Sequence, residues 1–100
     1  MSQVALALDG VRESVSGGRV RWSLRGRLIA RQLDDRSIVI RAGFAQRELL
    51  LQAYPETFHV PPQFDVHMMV VARLPEADPV AVASAIRAAW NLQRTDQAGS

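Results

Sequence analysis

A strict alternation of polar and apolar residues follows the pair Gly17-Gly18, and no other feature of this sequence constrains the fold as strongly. A period of two residues is typical of a half-buried β-strand, because successive side chains of a strand point to opposite faces of a sheet. The two glycines predict the turn that precedes this strand. The residues predicted on the polar face are Arg19, Arg21, Ser23 and Arg25, and those on the apolar face are Val20, Trp22 and Leu24.

Two more strands are predicted directly after this one. Gly26 turns the chain into a strand over residues 27–33, and Asp34-Asp35 predicts a second turn before a strand over residues 37–42. We expect Ile29 and Leu33 to face inward, and Ile38 and Ile40 to share one face of their strand. Three successive strands joined by tight turns predict an antiparallel meander.

Helical periodicity follows in two places. Residues 43–53 predict a short helix that Pro55 ends, with Phe44, Leu50 and Leu51 on one face and Gln46, Arg47 and Glu48 outside. The final helix has Asp78 as its predicted N-cap and Pro79 in its first turn. Its predicted inner stripe is Val82, Ile86, Ala89 and Trp90.

The remaining segments complete the predicted architecture. The apolar opening before Gly10 suits either a strand or the end of a short helix, and we interpret it as the helix. Residues 57–60 and 67–74 predict two strands, the second central in the sheet, and Pro61-Pro62 between them predicts a loop or an edge. The order predicts an α+β fold: an antiparallel sheet with helices packed on one face and a short N-terminal helix.

Several segments, taken in order, resemble the MmcQ/YjbR family of small bacterial proteins with a CyaY-like fold. The similar segments are residues 5–10, Gly26-Arg27-Leu28-Ile29-Ala30, residues 47–50, Pro55-Glu56-Thr57-Phe58, residues 62–64, residues 70–74 and residues 78–90. The resemblance covers roughly residues 3–92 and depends on the order and spacing of these segments rather than on a single motif.

The resemblance implies a double-wing arrangement suggestive of DNA binding, and it brings no established catalytic activity or cofactor. The chain departs from the family in its short first helix and in residues 67–69, where the family often has aromatic residues. Frataxin, a relative in fold, handles iron through acidic residues on its first helix. Asp9 is the sole acidic residue before Gly10 here, so we do not expect iron binding.

Length and composition limit the function further. One hundred residues suit one domain, which we place at residues 1–93 with a flexible tail over residues 94–100. The sequence has neither cysteine nor lysine, which excludes disulfides, thiolate sites, and cysteine or lysine catalysis. No run of 18 apolar residues and no signal-peptide pattern is present, so we expect a cytoplasmic protein without a membrane partner.

Arginine is the most informative residue type. Residues 1–50 hold nine arginines against five acidic residues, whereas residues 51–100 hold three against five. Alternate residues of a strand lie about 6.6 Å apart, a distance comparable with that between successive phosphates of a nucleic-acid strand. One guanidinium group can also donate two parallel hydrogen bonds to the oxygens of a phosphate. The alternative without a binding role is that these arginines form the solvent-exposed outer face of the sheet. The candidate nucleic-acid-binding residues are Arg19, Arg21, Arg25, Arg27, Arg31 and Arg36.

Other constellations predict no chemistry. His59, His67 and Asp65 match no dependable metal spacing, so we predict no metal site and no cofactor. We expect four aromatic residues to be core or core-edge residues: Trp22, Phe58, Phe64 and Trp90. Among them Phe64, beside two prolines, is the better candidate for an exposed contact. The sequence predicts a non-enzymatic module that binds DNA through the arginine-rich strands of residues 19–41. One alternative is a protein-interaction or structural module, such as a homodimer, without a nucleic-acid role. A further alternative is a small-molecule or metal-binding protein that uses His59, His67 and Asp65.

Overall fold

The structure, a computed structural model, describes residues 2–98 and the side chains of residues 4–95. The helices are α1 (Ser2–Leu6), α2 (Phe44–Ala53) and α3 (Pro79–Ala98). The strands are β1 (Val11–Ser16), β2 (Arg19–Leu24), β3 (Arg27–Asp34), β4 (Ser37–Arg41), β5 (Phe58–His59) and β6 (Met69–Arg73). Two 3₁₀ turns cover Pro62–Phe64 and Leu74–Glu76. All strands pair antiparallel in one sheet of spatial order β1-β2-β3-β4-β6-β5.

The predicted α+β class is confirmed, but the predicted number of strands is wrong. The meander has four strands, because β1 precedes the Gly17-Gly18 turn and pairs with β2 from Val11–Leu24 to Ser16–Arg19. Both glycines of this turn have positive φ, 58° and 77°, which suits a tight two-residue hairpin. β1 lies at the edge of the sheet and buries little, and its two apolar residues, Val11 and Val15, are too few to mark it as a core strand.

All three helices contribute to a core on one face of the sheet, which we call the inner face. Ala5 of α1, Leu50 of α2 and Ile86 of α3 belong to the same buried cluster. A row of paired residues crosses the sheet beneath them, in the order Trp22, Ala30, Ile40 and Val70. A register shift between β2 and β3 allows Ile29 and Ala30 to be buried together, which confirms the inward position of Ile29.

Helix α3 follows the predicted pattern at its start and continues beyond its predicted end. Asp78 Oδ1 accepts the Val80 N–H at 2.9 Å, as an N-cap does. Trp90 is half-buried against the core and donates its indole N–H to the Asp9 carbonyl at 2.9 Å. The helix extends to Ala98, into the segment predicted as a tail, whose residues 99 and 100 lie outside the described residues. Within residues 2–98, no helix is both long and apolar enough to cross a bilayer.

Helix α2 reverses two of its predicted positions. Arg47, predicted outside, is only 8 % exposed, whereas Phe44, predicted inside, is 47 % exposed. Arg47 Nη1 donates to the Phe64, Asp65 and His67 carbonyls at 3.4, 3.1 and 3.0 Å. The guanidinium also lies 4.9 Å from the Phe44 ring centroid. The long arginine side chain is therefore buried because its charge is surrounded by backbone carbonyls and a ring face.

The opposite, outer face of the sheet carries a second small cluster. Phe64 packs there on Val39 and Val71, with Leu33 and Met69 beside them. Phe64 is 8 % exposed, which confirms that it is a core or core-edge residue rather than an exposed contact. The predicted inward position of Leu33 is wrong, because Leu33 packs in this outer cluster. The predicted strand at residues 67–74 is β6, which is fully buried from Val70 to Ala72 but lies next to the edge strand β5 rather than at the centre.

Candidate nucleic-acid interface

Four arginines share the outer face of β1, β2 and β3, and we call this set the arginine face: Arg12, Arg19, Arg21 and Arg31. Their common side follows from the strand register. Arg12 pairs with Ser23, Ser14 with Arg21, and Ser16 with Arg19 between β1 and β2. Paired residues lie on the same face, and their neighbours Trp22 and Leu24 are buried on the inner face. The prediction that Arg19 and Arg21 share one side is confirmed.

The arginine face concentrates positive charge. Arg21 and Arg31 are direct partners across β2 and β3, a like-charge pair that costs free energy in the absence of a counter-ion. The Arg31 guanidinium lies 5.9 Å from the Phe64 ring centroid and is half-buried, whereas Arg12, Arg19 and Arg21 are exposed. The other outward positions of β1 and β2 are the serines Ser14, Ser16 and Ser23. No outward side chain of these two strands is therefore acidic.

A cleft opens on this face where β2 and β3 separate. Regular pairing ends at Arg21 and Arg31, and beyond it Gln32 Oε1 accepts the Val20 N–H at 2.8 Å in place of a backbone carbonyl. The cleft measures about 200 Å³. Its lining residues are Ser16, Arg19, Val20, Arg21, Arg31 and Gln32. Three of the six predicted binding arginines thus meet at one concave surface.

The structure does not bring Arg25 and Arg27 to this surface. β2 ends at Leu24, so Arg25 belongs to the hairpin turn and not to the polar strand face predicted for it. Arg25 has a φ of +52°, a left-handed conformation that a side chain with a Cβ adopts at a cost. Arg27 begins β3 opposite Leu24 and is exposed. Both arginines therefore lie at the tip of the β2–β3 hairpin.

Arg36 lies at the other end of the sheet. It occupies the turn between β3 and β4, where its N–H donates to Asp34 Oδ1 at 2.8 Å. The predicted turns at Gly26 and at Asp34-Asp35 therefore lie at opposite ends of β3. The six predicted arginines form three separate groups rather than one continuous site.

Arg12 is the member of the arginine face that sequence reasoning missed. It is not among the six predicted arginines because the sequence pattern does not predict a strand over β1. Two signals indicate that strand. The apolar Val11 and Val15 share one side of a period of two with Glu13, and Gly17-Gly18 separates them from β2 by the two residues of a tight hairpin. Glu13 Oε1 accepts the indole N–H of Trp22 at 2.7 Å, which anchors β1 to the inner face of β2.

The two histidines lie apart from the arginine face. His59 is half-buried on β5, and burial followed by the nearby Arg73 guanidinium lowers its pKa below the ordinary 6.5. His67 is exposed, and its carbonyl accepts from Arg47. Among the described residues, no group of three or more histidine, cysteine or acidic side chains is arranged to hold a metal ion.

A comparison of the chain with protein-family models, with curated proteins and with solved structures finds no match. The resemblance to the MmcQ/YjbR family therefore stays a prediction from the sequence segments that carry it.

Proposed function

We propose that this protein is a non-catalytic module of the MmcQ/YjbR type that binds nucleic acid by holding phosphates on the arginine face. The observation that carries the proposal is the register of β1, β2 and β3, which aligns four guanidinium groups on one side of the sheet. Guanidinium groups bind phosphate oxygens through paired hydrogen bonds. A bound polyanion would also relieve the repulsion between Arg21 and Arg31.

The spacing of the arginine face suits the backbone of a nucleic acid rather than the edges of its bases. Arg19 and Arg21 are alternate residues of β2, about 6.6 Å apart, and neighbouring strands are separated by about 4.8 Å. Contacts of this kind fix position on the backbone and carry little sequence information. We therefore propose sequence-independent binding, with Arg25 and Arg27 extending the contact at the hairpin tip.

The test is a salt series of fluorescence anisotropy with labelled duplex and single-stranded DNA. The variant Arg19→Gln/Arg21→Gln removes two charges from the arginine face. The matched control, Arg87→Gln/Arg94→Gln, removes two exposed charges from α3 on the other side of the molecule. Both variants have the same net charge, so a difference in their DNA affinity shows that the position of the lost charges matters.

We expect the logarithm of the binding constant to fall linearly with the logarithm of salt concentration. On duplex DNA, the slope of the face variant should be shallower by about 1.8, because each lost phosphate contact removes about 0.9. The control should keep the wild-type slope. Absence of binding by the wild type at low salt, or equal losses in the two variants, would contradict the proposal.

A second candidate is a homodimer formed through β1. This strand pairs with β2 alone among the described strands, and Val15 on it is 68 % exposed. The open edge of a strand can pair with a second copy of the same chain. Sedimentation velocity across a concentration series tests this candidate: a mass that doubles in the wild type but not in Val15→Lys supports it, and a constant monomer mass excludes it.

A further inference from the structure

A second basic cleft lies toward the other edge of the sheet, where β4 begins and β6 ends beside β5. Its volume is about 230 Å³, below the roughly 300–1,000 Å³ of pockets for drug-sized ligands, so it suits an ion or a small head group. Its lining residues are Arg36, Ser37, His59, Arg73, Pro75 and Glu76. Apart from Arg36, none of these belongs to the predicted nucleic-acid site.

Backbone pairing holds the polar groups of this cleft in place. Ser37 and Arg73 are direct partners across β4 and β6, and His59 pairs with Val71, the next outward residue of β6. The Leu74 N–H donates to the Arg36 carbonyl at 2.8 Å, which ties the turn that carries Arg36 to the end of β6. Arg73 Nη1 donates to the Pro55 carbonyl at 3.2 Å, which orients its guanidinium. The cleft is therefore built on the sheet rather than on a free loop.

The donor set indicates what the cleft binds. Two guanidinium groups, a hydroxyl and an imidazole supply hydrogen-bond donors from three strands and a turn. Glu76 is the single acidic side chain in the lining, and the two arginines leave a positive balance. Donors contributed by several elements around one cleft suit a tetrahedral oxyanion, whose three terminal oxygens accept more bonds than the two of a carboxylate.

We propose that this cleft is a binding site for a phosphomonoester, held by Arg36 and Arg73 and oriented by Ser37 and His59. The proposal does not depend on the arginine face, which lies on other strands. The same dianionic group occurs on small phosphate esters and on the 5′ end of a nucleic-acid strand. The chemistry of recognition is shared, and the experiment separates the two sources.

His59 provides a reporter of occupancy. Burial is the first cause of its lowered pKa and the Arg73 charge is the second. The other charged groups that line the cleft are Arg36 and Glu76. A dianion bound between the two arginines would offset their field and favour the protonated imidazole. The ring signals of His59 should therefore move when the cleft fills, whereas His67 lies outside the lining.

The test follows the ring proton signals of both histidines by NMR while inorganic phosphate is added at constant ionic strength. Acetate at the same ionic strength is the control anion. The variants are Arg36→Gln and Arg73→Gln, and Arg87→Gln is the matched exposed control. Arg36→Gln leaves the Arg73–Pro55 hydrogen bond intact, so the test survives if Arg73→Gln fails to fold. A 5′-phosphorylated trinucleotide and its 5′-hydroxyl counterpart form the second arm.

We expect phosphate to shift His59 to saturation, with His67 unmoved, acetate far weaker, and affinity lowered about tenfold in each cleft variant. Arg19→Gln/Arg21→Gln should leave the response of His59 to phosphate unchanged, so failure of the arginine face and failure of this cleft are separately visible. A shift with only the 5′-phosphorylated trinucleotide assigns the site to strand ends, and a shift with inorganic phosphate alone assigns it to free phosphates. No saturable shift, equal movement of both histidines, or full affinity in Arg36→Gln overturns the proposal.

Discussion

Replacement of Arg47 by methionine tests whether a buried charge holds the segment that covers the outer face. Methionine keeps most of the aliphatic volume and removes the guanidinium. The variant loses the Nη1 hydrogen bonds to three carbonyls and the contact with the Phe44 ring. Of these carbonyls, Phe64 and His67 also accept the His67 and Met69 N–H groups, so Asp65 loses the most.

The magnitude follows from these contacts. We count only the hydrogen bond to Asp65, at about 1.5–3 kcal/mol for a charged donor, because the Phe64 and His67 carbonyls keep their N–H partners. The cation–π contact with a partly exposed ring adds about 0.5–1 kcal/mol. Removal of the buried charge also stabilises the fold by about 1 kcal/mol, because Arg47 Nε is buried without a hydrogen-bond partner among the described residues. We therefore expect a net loss of about 2 kcal/mol in the free energy of unfolding. For a domain of this size that lowers Tm by about 10 °C.

Urea unfolding followed by tryptophan fluorescence measures the loss, with Arg87→Met as the control for an exposed arginine. Amide exchange should also accelerate over residues 62–69, because the segment loses its tie to α2. A variant within 0.5 kcal/mol of the wild type, with unchanged exchange there, would show that Phe64 packing alone holds the segment. The free energy of unfolding of Arg47→Lys should lie between those of the wild type and Arg47→Met, since an ammonium group supplies the charge without the planar guanidinium fork.

Three further predictions concern single side chains. Glu13→Ala removes the acceptor of the Trp22 indole, so urea unfolding should show a loss of about 1 kcal/mol and the fluorescence of Trp22 should change. Arg25→Asn relieves the left-handed conformation at φ +52°, and thermal unfolding should show a gain of about 0.5–1 kcal/mol; a loss would mean that the arginine side chain stabilises the turn. The lowered pKa of His59 favours the neutral imidazole in the fold, so the unfolded chain takes up a proton first as pH falls below 6.5. Stability should therefore decrease from pH 6.5 down to that lowered pKa, and His59→Gln should flatten the decrease.

Local periodicity was sufficient for the elements that bury a regular face. The alternation around Trp22 predicted β2 and its two sides, and Asp78 predicted the start of α3. It failed for β1, an exposed edge strand with few apolar residues to mark it. Periodicity also failed to place Arg25, because β2 ends at Leu24 and Arg25 has the left-handed backbone conformation of the following turn.

Positions that depend on distant segments were not predictable from local pattern. Arg47 looked like a solvated helix residue, and its burial depends on carbonyls 17 to 20 residues further along the chain. Phe64 is predicted as a core or core-edge residue, but no local pattern indicates that it covers Val39 and Val71 on β4 and β6. Both residues are buried because the 60–68 segment folds back over the outer face of the sheet.

The candidate sites show the same difference between local pattern and tertiary contacts. Residue type and the period of a strand by themselves determined that Arg19 and Arg21 share a side, because side-chain direction in a strand is a local property. Only the tertiary structure decided which arginines meet. Strand pairing places Arg12 and Arg31 on the same side as Arg19 and Arg21. Arg36 instead lines a cleft with Arg73 and His59. Strand order and register are set by the burial of the whole sheet, so no local segment of the sequence specifies them.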